Sequence, residues 1–189
     1  MDISLRVNRS LYGQFKTTRG KQDITGDEYF KPTNARYFHG YFRFVRLGPT
    51  VKDIGLENYP ELKPFAKTQY SMMVPEVEKY LKSEHPDVQN IVICGIESHV
   101  CIQCTVQSLI NHGYDVHVVA DGCSSRSMVD RMYSFQRMKA MGAWLTTSES
   151  VILGLLGGSH HPDFKEVQKI IREPAPDSGL LSLLPNPLG

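Results

Sequence analysis

The sequence has no apolar run approaching the ~20 residues that a helix needs to cross a bilayer, so no membrane-embedded protein and no membrane partner is expected. It also lacks an excess of either charge. Lys plus Arg number 21 against 20 Asp plus Glu, a formal net charge of +1, and nothing here drives the chain onto nucleic acid or an acidic surface. Cysteine is scarce: Cys94, Cys101, Cys104 and Cys123 all fall mid-chain. A secreted disulfide scaffold spreads more of them and follows a signal peptide, whereas MDISLRVNRSLYGQF has no apolar core of that type. A reducing compartment, the cytoplasm, is the expectation. Arg6, Arg9, Lys16, Arg19 and Lys21, opposed only by Asp2, weakly imitate a mitochondrial presequence, so mitochondrial and nuclear locations stay open. Internal repeats and low-complexity tracts are absent too. What is present is 41% hydrophobic and 22% charged residues in 189, enough for one folded domain and against wholesale disorder.

Residues 1–46 form an atypical, partly irregular segment with no sustained period, apart from alternation over 37–46 that suggests a strand at 41–46. The domain proper is expected over 47–172. A helix opens at Pro75 and buries Val77, Tyr80 and Leu81. Residues 90–95 read as a strand apolar on both faces. A helix follows over about 100–112, then a strand over 115–121. A helix over 127–141 carries Met128, Met132, Phe135 and Met138 as core filler. A short strand over 143–146 is expected to bury Trp144. Thr146 and Glu149 fit a capping box for a helix over 148–156, and a last helix follows Pro162. Residues 173–189 are a proline-containing tail. Strands alternating with helices over short connections give an α/β fold, a parallel sheet with helices on both faces.

In such sheets, ligands bind beyond the carboxyl ends of the strands. At the end of the 90–95 strand stands Gly95-Ile96-Glu97-Ser98-His99-Val100-Cys101, which places Cys101 in the first turn of the next helix. The amides and positive end of a helix favour a thiolate and can donate to an oxyanion. Gly95 permits a tight turn. Free cysteine is also commonly a small buried hydrophobe, the better explanation for Cys94 and Cys123, and for Cys101 the residues alone leave both readings open.

The 95–101 segment resembles the nucleophile turn of the isochorismatase-like cysteine hydrolases, which include nicotinamidases and N-carbamoylsarcosine amidases. Pro64-Phe65-Ala66-Lys67-Thr68 resembles their lysine segment. Residues 116–127, 161–171 and 174–181 resemble the animal isochorismatase domain-containing proteins, the second type above all. The likeness runs from about Leu47 to Leu181. It implies Cys101 as nucleophile, Lys67 as the cation beside it, and a cis Ile96–Glu97 peptide aiming the Glu97 and Cys101 amides at an oxyanion. Gly95 and His99 would border the substrate. It implies covalent hydrolysis of an amide or a related small carbonyl compound; no cofactor is expected, and no metal, since the nicotinamidase metal motif of an Asp with histidines ahead of the lysine has no counterpart and His39 stands alone there.

The family's third catalytic group, an Asp ending its first strand, has no counterpart. Asp2, Asp23 and Asp27 exist, but none follows an apolar strand. The first strand of the sheet is therefore expected to be missing, which leaves the 90–95 strand an open edge. Such an edge calls for cover by 41–46 or by a second copy of the chain, a homo-oligomer. Activity is expected to be weak or absent for want of the base. The alternatives are a non-enzymatic interaction protein, a thiol redox protein using Cys101 and Cys104 (C-x-x-C), and a zinc site from His99, Cys101 and Cys104 with Cys94 or Cys123. Ser124 to Ser127 suit a helix cap better than an anion site.

Overall fold

In the computed structural model the described residues are 2–6, 37–42, 63–172 and 179, with side chains over 65–172 and at 179. The 46/47 boundary, residues 43–46 of the expected strand, and nearly all of the 173–189 tail lie outside them.

The sheet is built around the most apolar stretch of the chain. β4 (Asn90–Ile96) buries Ile91, Val92, Ile93 and Cys94 in succession, and consecutive residues point to opposite faces, so both faces are covered. Each such side chain is worth roughly 1.5–3 kcal/mol when fully buried. β5 (Asp115–Ser124) pairs parallel to β4, and β6 (Trp144–Thr146) parallel to β5. On the other side come β1 (Asp2–Arg6), β2 (Tyr37–Phe42) and β3 (Lys63–Lys67), giving six strands in the order β3-β2-β1-β4-β5-β6. β2 and β3 are parallel, while β1 runs antiparallel to both its neighbours.

This corrects the expectation of a missing first strand. The place beside β4 is filled, by Ile3 opposite Gly95, Ser4 opposite Cys94 and Leu5 opposite Ile93. β2 lies one place further out. The physical reason is that the main-chain groups of a buried strand must be paired, and an antiparallel ladder satisfies them as well as a parallel one. The reversal also brings the first residue of β1, not its last, to the carboxyl end of β4.

The described residues form five α-helices. α1 (Pro75–Glu84) begins on proline and buries Val77 and Leu81. α2 (Gln103–Asn111) buries Thr105, Val106 and Leu109. α3 (Met128–Ala140) is capped by Ser127, whose hydroxyl accepts from the Asp130 amide at 3.4 Å. It buries Arg131, Ser134, Phe135 and Met138, while Met128 and Met132 are only half-buried. The guanidinium of Arg131 donates to the Ala120 carbonyl at 2.8 Å, which brings a charged group to a buried face expected to be filled by methionines and Phe135. α4 (Ser148–Leu156) is capped by Thr147, which accepts from the Ser150 amide at 3.3 Å, one residue later than the expected box. With α5 (Phe164–Ile171) it forms a small separate cluster around Leu156 and Val167. Trp144 is 63% exposed rather than core, because the three-residue β6 is the sheet's edge.

Candidate active site

Ligands of parallel α/β sheets bind beyond the carboxyl ends of the strands, and β4 is an interior strand of this one. Here the chain leaving β4 does not enter an α-helix directly. The β4–β5 register shifts between Ile93 and Gly95, Gly95 takes φ 146, and Glu97 takes φ 59 and ψ 62. A left-handed non-glycine residue costs on the order of 1 kcal/mol and is kept only where its surroundings impose it. Ser98–Ile102 then forms a wide π-helical turn, a local form frequent at functional sites, before α2 starts. The Glu97 carbonyl accepts from the amides of Val100 (3.0 Å) and Ile102 (3.4 Å). The buried Ser98 hydroxyl donates to the Ser124 carbonyl at 3.0 Å, tying the turn to the end of β5.

This turn differs from the expectation in one respect. Among the described residues no peptide is cis, so the Ile96–Glu97 bond is trans. The chain turns there through the left-handed Glu97 instead.

The turn delivers Cys101 to an interior position, 0% exposed. Its Sγ lies 3.6 Å from Nζ of Lys67, the last residue of β3. Lys67 is 2% exposed. Its ammonium also donates to the carbonyls of Tyr70 (2.6 Å) and Gln69 (3.1 Å), so each of its three N–H bonds has an acceptor. Burial pushes the Lys67 ammonium below its ordinary range, and the neighbouring Cys101 pulls it back. Burial likewise pushes the Cys101 thiol up. Lys67 draws it down, while Cys104 and Glu97 push it further up. Desolvation thus works against charge on both partners, while the charge of each favours that of the other.

Segment 68–74 returns from β3 across α2. The Met72 amide donates to the Thr105 hydroxyl at 2.9 Å, and that hydroxyl donates to the Cys101 carbonyl at 2.7 Å. Ser71 Oγ bonds Ser108 Oγ at 2.9 Å, and Ser108 Oγ donates to the Cys104 carbonyl at 3.0 Å. The Gln69 side chain donates to the Met73 carbonyl at 2.9 Å. Sequence reasoning missed Thr105 and Ser108. The signal was available: each stands four residues after a cysteine of the nucleophile segment, on one helix face.

His99 and Glu97 are half-buried beside the turn. His99 Nδ1 lies 3.1 Å from Ser125 Oγ and 3.4 Å from Glu97 Oε2. Gly95 and Ile96 end β4, both half-buried. Cys94 and Cys123 are buried and Cys104 half-buried, and all four cysteines are free thiols. Among the described residues no three of His, Cys, Asp or Glu gather as a metal-ligating group, so the zinc set weighed above is not assembled there. Asp121, whose chain neighbours resemble the family, binds the amide (2.8 Å) and hydroxyl (2.6 Å) of Ser148 at the start of α4. Within the described residues no helix is long and apolar enough to cross a membrane.

Comparison with known proteins agrees with this architecture. Residues 37–150 match the isochorismatase domain. The chain is 59% identical to isochorismatase domain-containing protein 2 of Xenopus laevis over 141 residues, which are 75% of this chain and 67% of that one. Against the Homo sapiens protein of the same name it is 52% identical over 137 residues, 72% of this chain and 64% of that one. It therefore spans about two thirds of the length of the curated relatives it matches. A solved structure described as the MAR1 ribonuclease of Caenorhabditis elegans superposes with a TM-score of 0.68 at 48% identity, covering 77% of this chain and 72% of that one. On sequence and on fold alike, the chain belongs to the isochorismatase-domain family.

Proposed function

We propose that the chain is a cysteine-dependent hydrolase of small amides or related carbonyl compounds, with Cys101 as nucleophile and Lys67 as its electrostatic partner. The observation that carries this reading is the 3.6 Å approach of Lys67 Nζ to Cys101 Sγ beyond the carboxyl end of β4. In the reaction, Cys101 gives up its proton and its sulfur attacks the carbonyl carbon. The amides of Glu97 and Cys101 receive the oxyanion, the amine departs protonated, and water then cleaves the thioester. Lys67 stabilises the thiolate as it forms and has no proton to accept while it is an ammonium. His99 and Gly95 border the substrate.

A base for the thiol proton is the element the sequence withholds. Among the described side chains the acidic group acting on the thiol is Glu97, which disfavours its ionisation. The proton that the Cys101 thiol gives up is the one that the departing amine carries away.

RNA is the rival substrate class, since a relative at 48% identity is described as a ribonuclease. The net charge of +1 offers no general attraction for phosphates, and a thiol nucleophile suits a carbonyl carbon better than a phosphodiester. The experiment is ammonia release from a panel of small primary amides, alongside cleavage of a labelled RNA, for the wild type and Cys101→Ser. Amide turnover lost in the variant supports the proposal. RNA cleavage retained in the variant, with no amide turnover in either protein, overturns it.

A further inference from the structure

The ammonium of Lys67 is fixed by carbonyls 69 and 70, three residues or fewer from its own position, so its location is set by where segment 68–74 rests. That segment rests on α2 through two hydroxyls. Thr105, fully buried, accepts from the Met72 amide and donates its own hydroxyl hydrogen bond to the carbonyl of the nucleophile residue itself. Ser108, one turn on, bonds Ser71 and the Cys104 carbonyl, and the Met73 amide donates to Ser71 Oγ at 3.1 Å. A helical Ser or Thr that merely satisfies itself needs only the carbonyl four residues back. Here both hydroxyls also engage the lysine segment.

We propose that Thr105, seconded by Ser108, is a positioning residue that fixes the Lys67–Cys101 separation and so tunes the reactivity of the nucleophile. The inference rests on the hydrolase reading for its purpose, but its physical content is independent of any substrate. The link is continuous: ammonium, carbonyls 69 and 70, the Met72 amide, the Thr105 hydroxyl, the Cys101 carbonyl. Removing the Thr105 hydroxyl cuts that path between the Met72 amide and the Cys101 carbonyl. The Met72 amide then loses this acceptor in a dry site, and segment 68–74 is free to shift by the fraction of an ångström that weakens a 3.6 Å charge–sulfur contact.

The test is the rate of Cys101 alkylation by iodoacetamide as a function of pH, read by peptide mass spectrometry, with a urea midpoint measured for every variant. Thr105→Val is expected to move the alkylation profile to higher pH and lower the rate at pH 7 by about 3–10-fold, half to one pH unit at tenfold per unit. Thr105→Ser is expected to restore the profile, and Ser108→Ala to shift it the same way by less. A merely structural hydroxyl would change the urea midpoint and leave the profile in place, and that result overturns the proposal. If Thr105→Val does not fold, Ser108→Ala decides: an unchanged profile overturns the proposal and a shifted one supports it. Lys67→Met separates the two claims. A shift in Lys67→Met without one in Thr105→Val rejects the clamp alone, whereas no shift in Lys67→Met rejects the Lys67–Cys101 partnership on which the hydrolase reading stands.

Discussion

Cys101 and Cys123 stand at the carboxyl ends of adjacent strands, one in the turn after β4 and the other in β5 opposite Gly95. Both are buried, and for both burial is the largest influence and raises the thiol's pKa. They differ in their company. Cys101 has the Lys67 ammonium in direct contact, whereas Cys123 has Cys94, which pushes it up further, against weaker help from the Gly95 amide and Arg131. Their carboxyl-end location is therefore not what separates them. A buried cation is costly unless its bonds are satisfied, and Lys67 meets that cost with two carbonyls and one sulfur. Equivalent investment around Cys123 is absent from the bonds described.

The largest effect that would break the contrast comes from exchanging the thiols. Cys101→Ser is expected to abolish amide hydrolysis by at least about 10³-fold, whereas Cys123→Ala leaves kcat/KM near wild type and lowers stability by about 1 kcal/mol. Steady-state ammonia release and urea denaturation check both. Next, Lys67→Met is expected to lower kcat by about 10²–10³-fold with little change in urea midpoint, since an apolar chain of similar shape replaces a desolvated charge.

The smallest effect is on stability and sharpens the Cys123 side. Its folded thiol titrates above its unfolded value, so its stabilising contribution is complete below about pH 8.5 and declines as pH rises beyond that. Lys67 acts with the opposite sign in the alkaline range, being pushed down in the fold, but it is common to both proteins when wild type is compared with Cys123→Ala. Urea midpoints from pH 8 to 10.5 should fall more steeply for the wild type than for the variant.

Much of the β4-β5-β6 half of the sheet was legible from local pattern. The unbroken apolar run of β4 and Pro75 opening α1 are effects of neighbouring residues on one another. What was not legible is non-local. β1 is five residues long, too short for a period to declare itself, and its direction is set by the ladder it completes. The helix read from residue 100 was interrupted by a π turn, because the register shift at the end of β4 and the Ser98–Ser124 bond are set across strands. Trp144 was misread since no spacing within three residues tells an edge strand from a central one. At the site, Lys67 and Cys101 are 34 residues apart, and their pairing was inferred from a family resemblance that spacing could not have supplied. Thr105 and Ser108 went unnoticed because a hydroxyl in a helix interior reads as local until its second partner is known.

The central claim is tested most directly by acid-quenching the enzyme during turnover of a small amide and measuring intact and peptide masses. The account predicts an acyl adduct on Cys101 alone, absent in Cys101→Ser and diminished in Lys67→Met. Turnover that persists in Cys101→Ser, or an adduct carried by Cys104 or Cys123 instead, would contradict it.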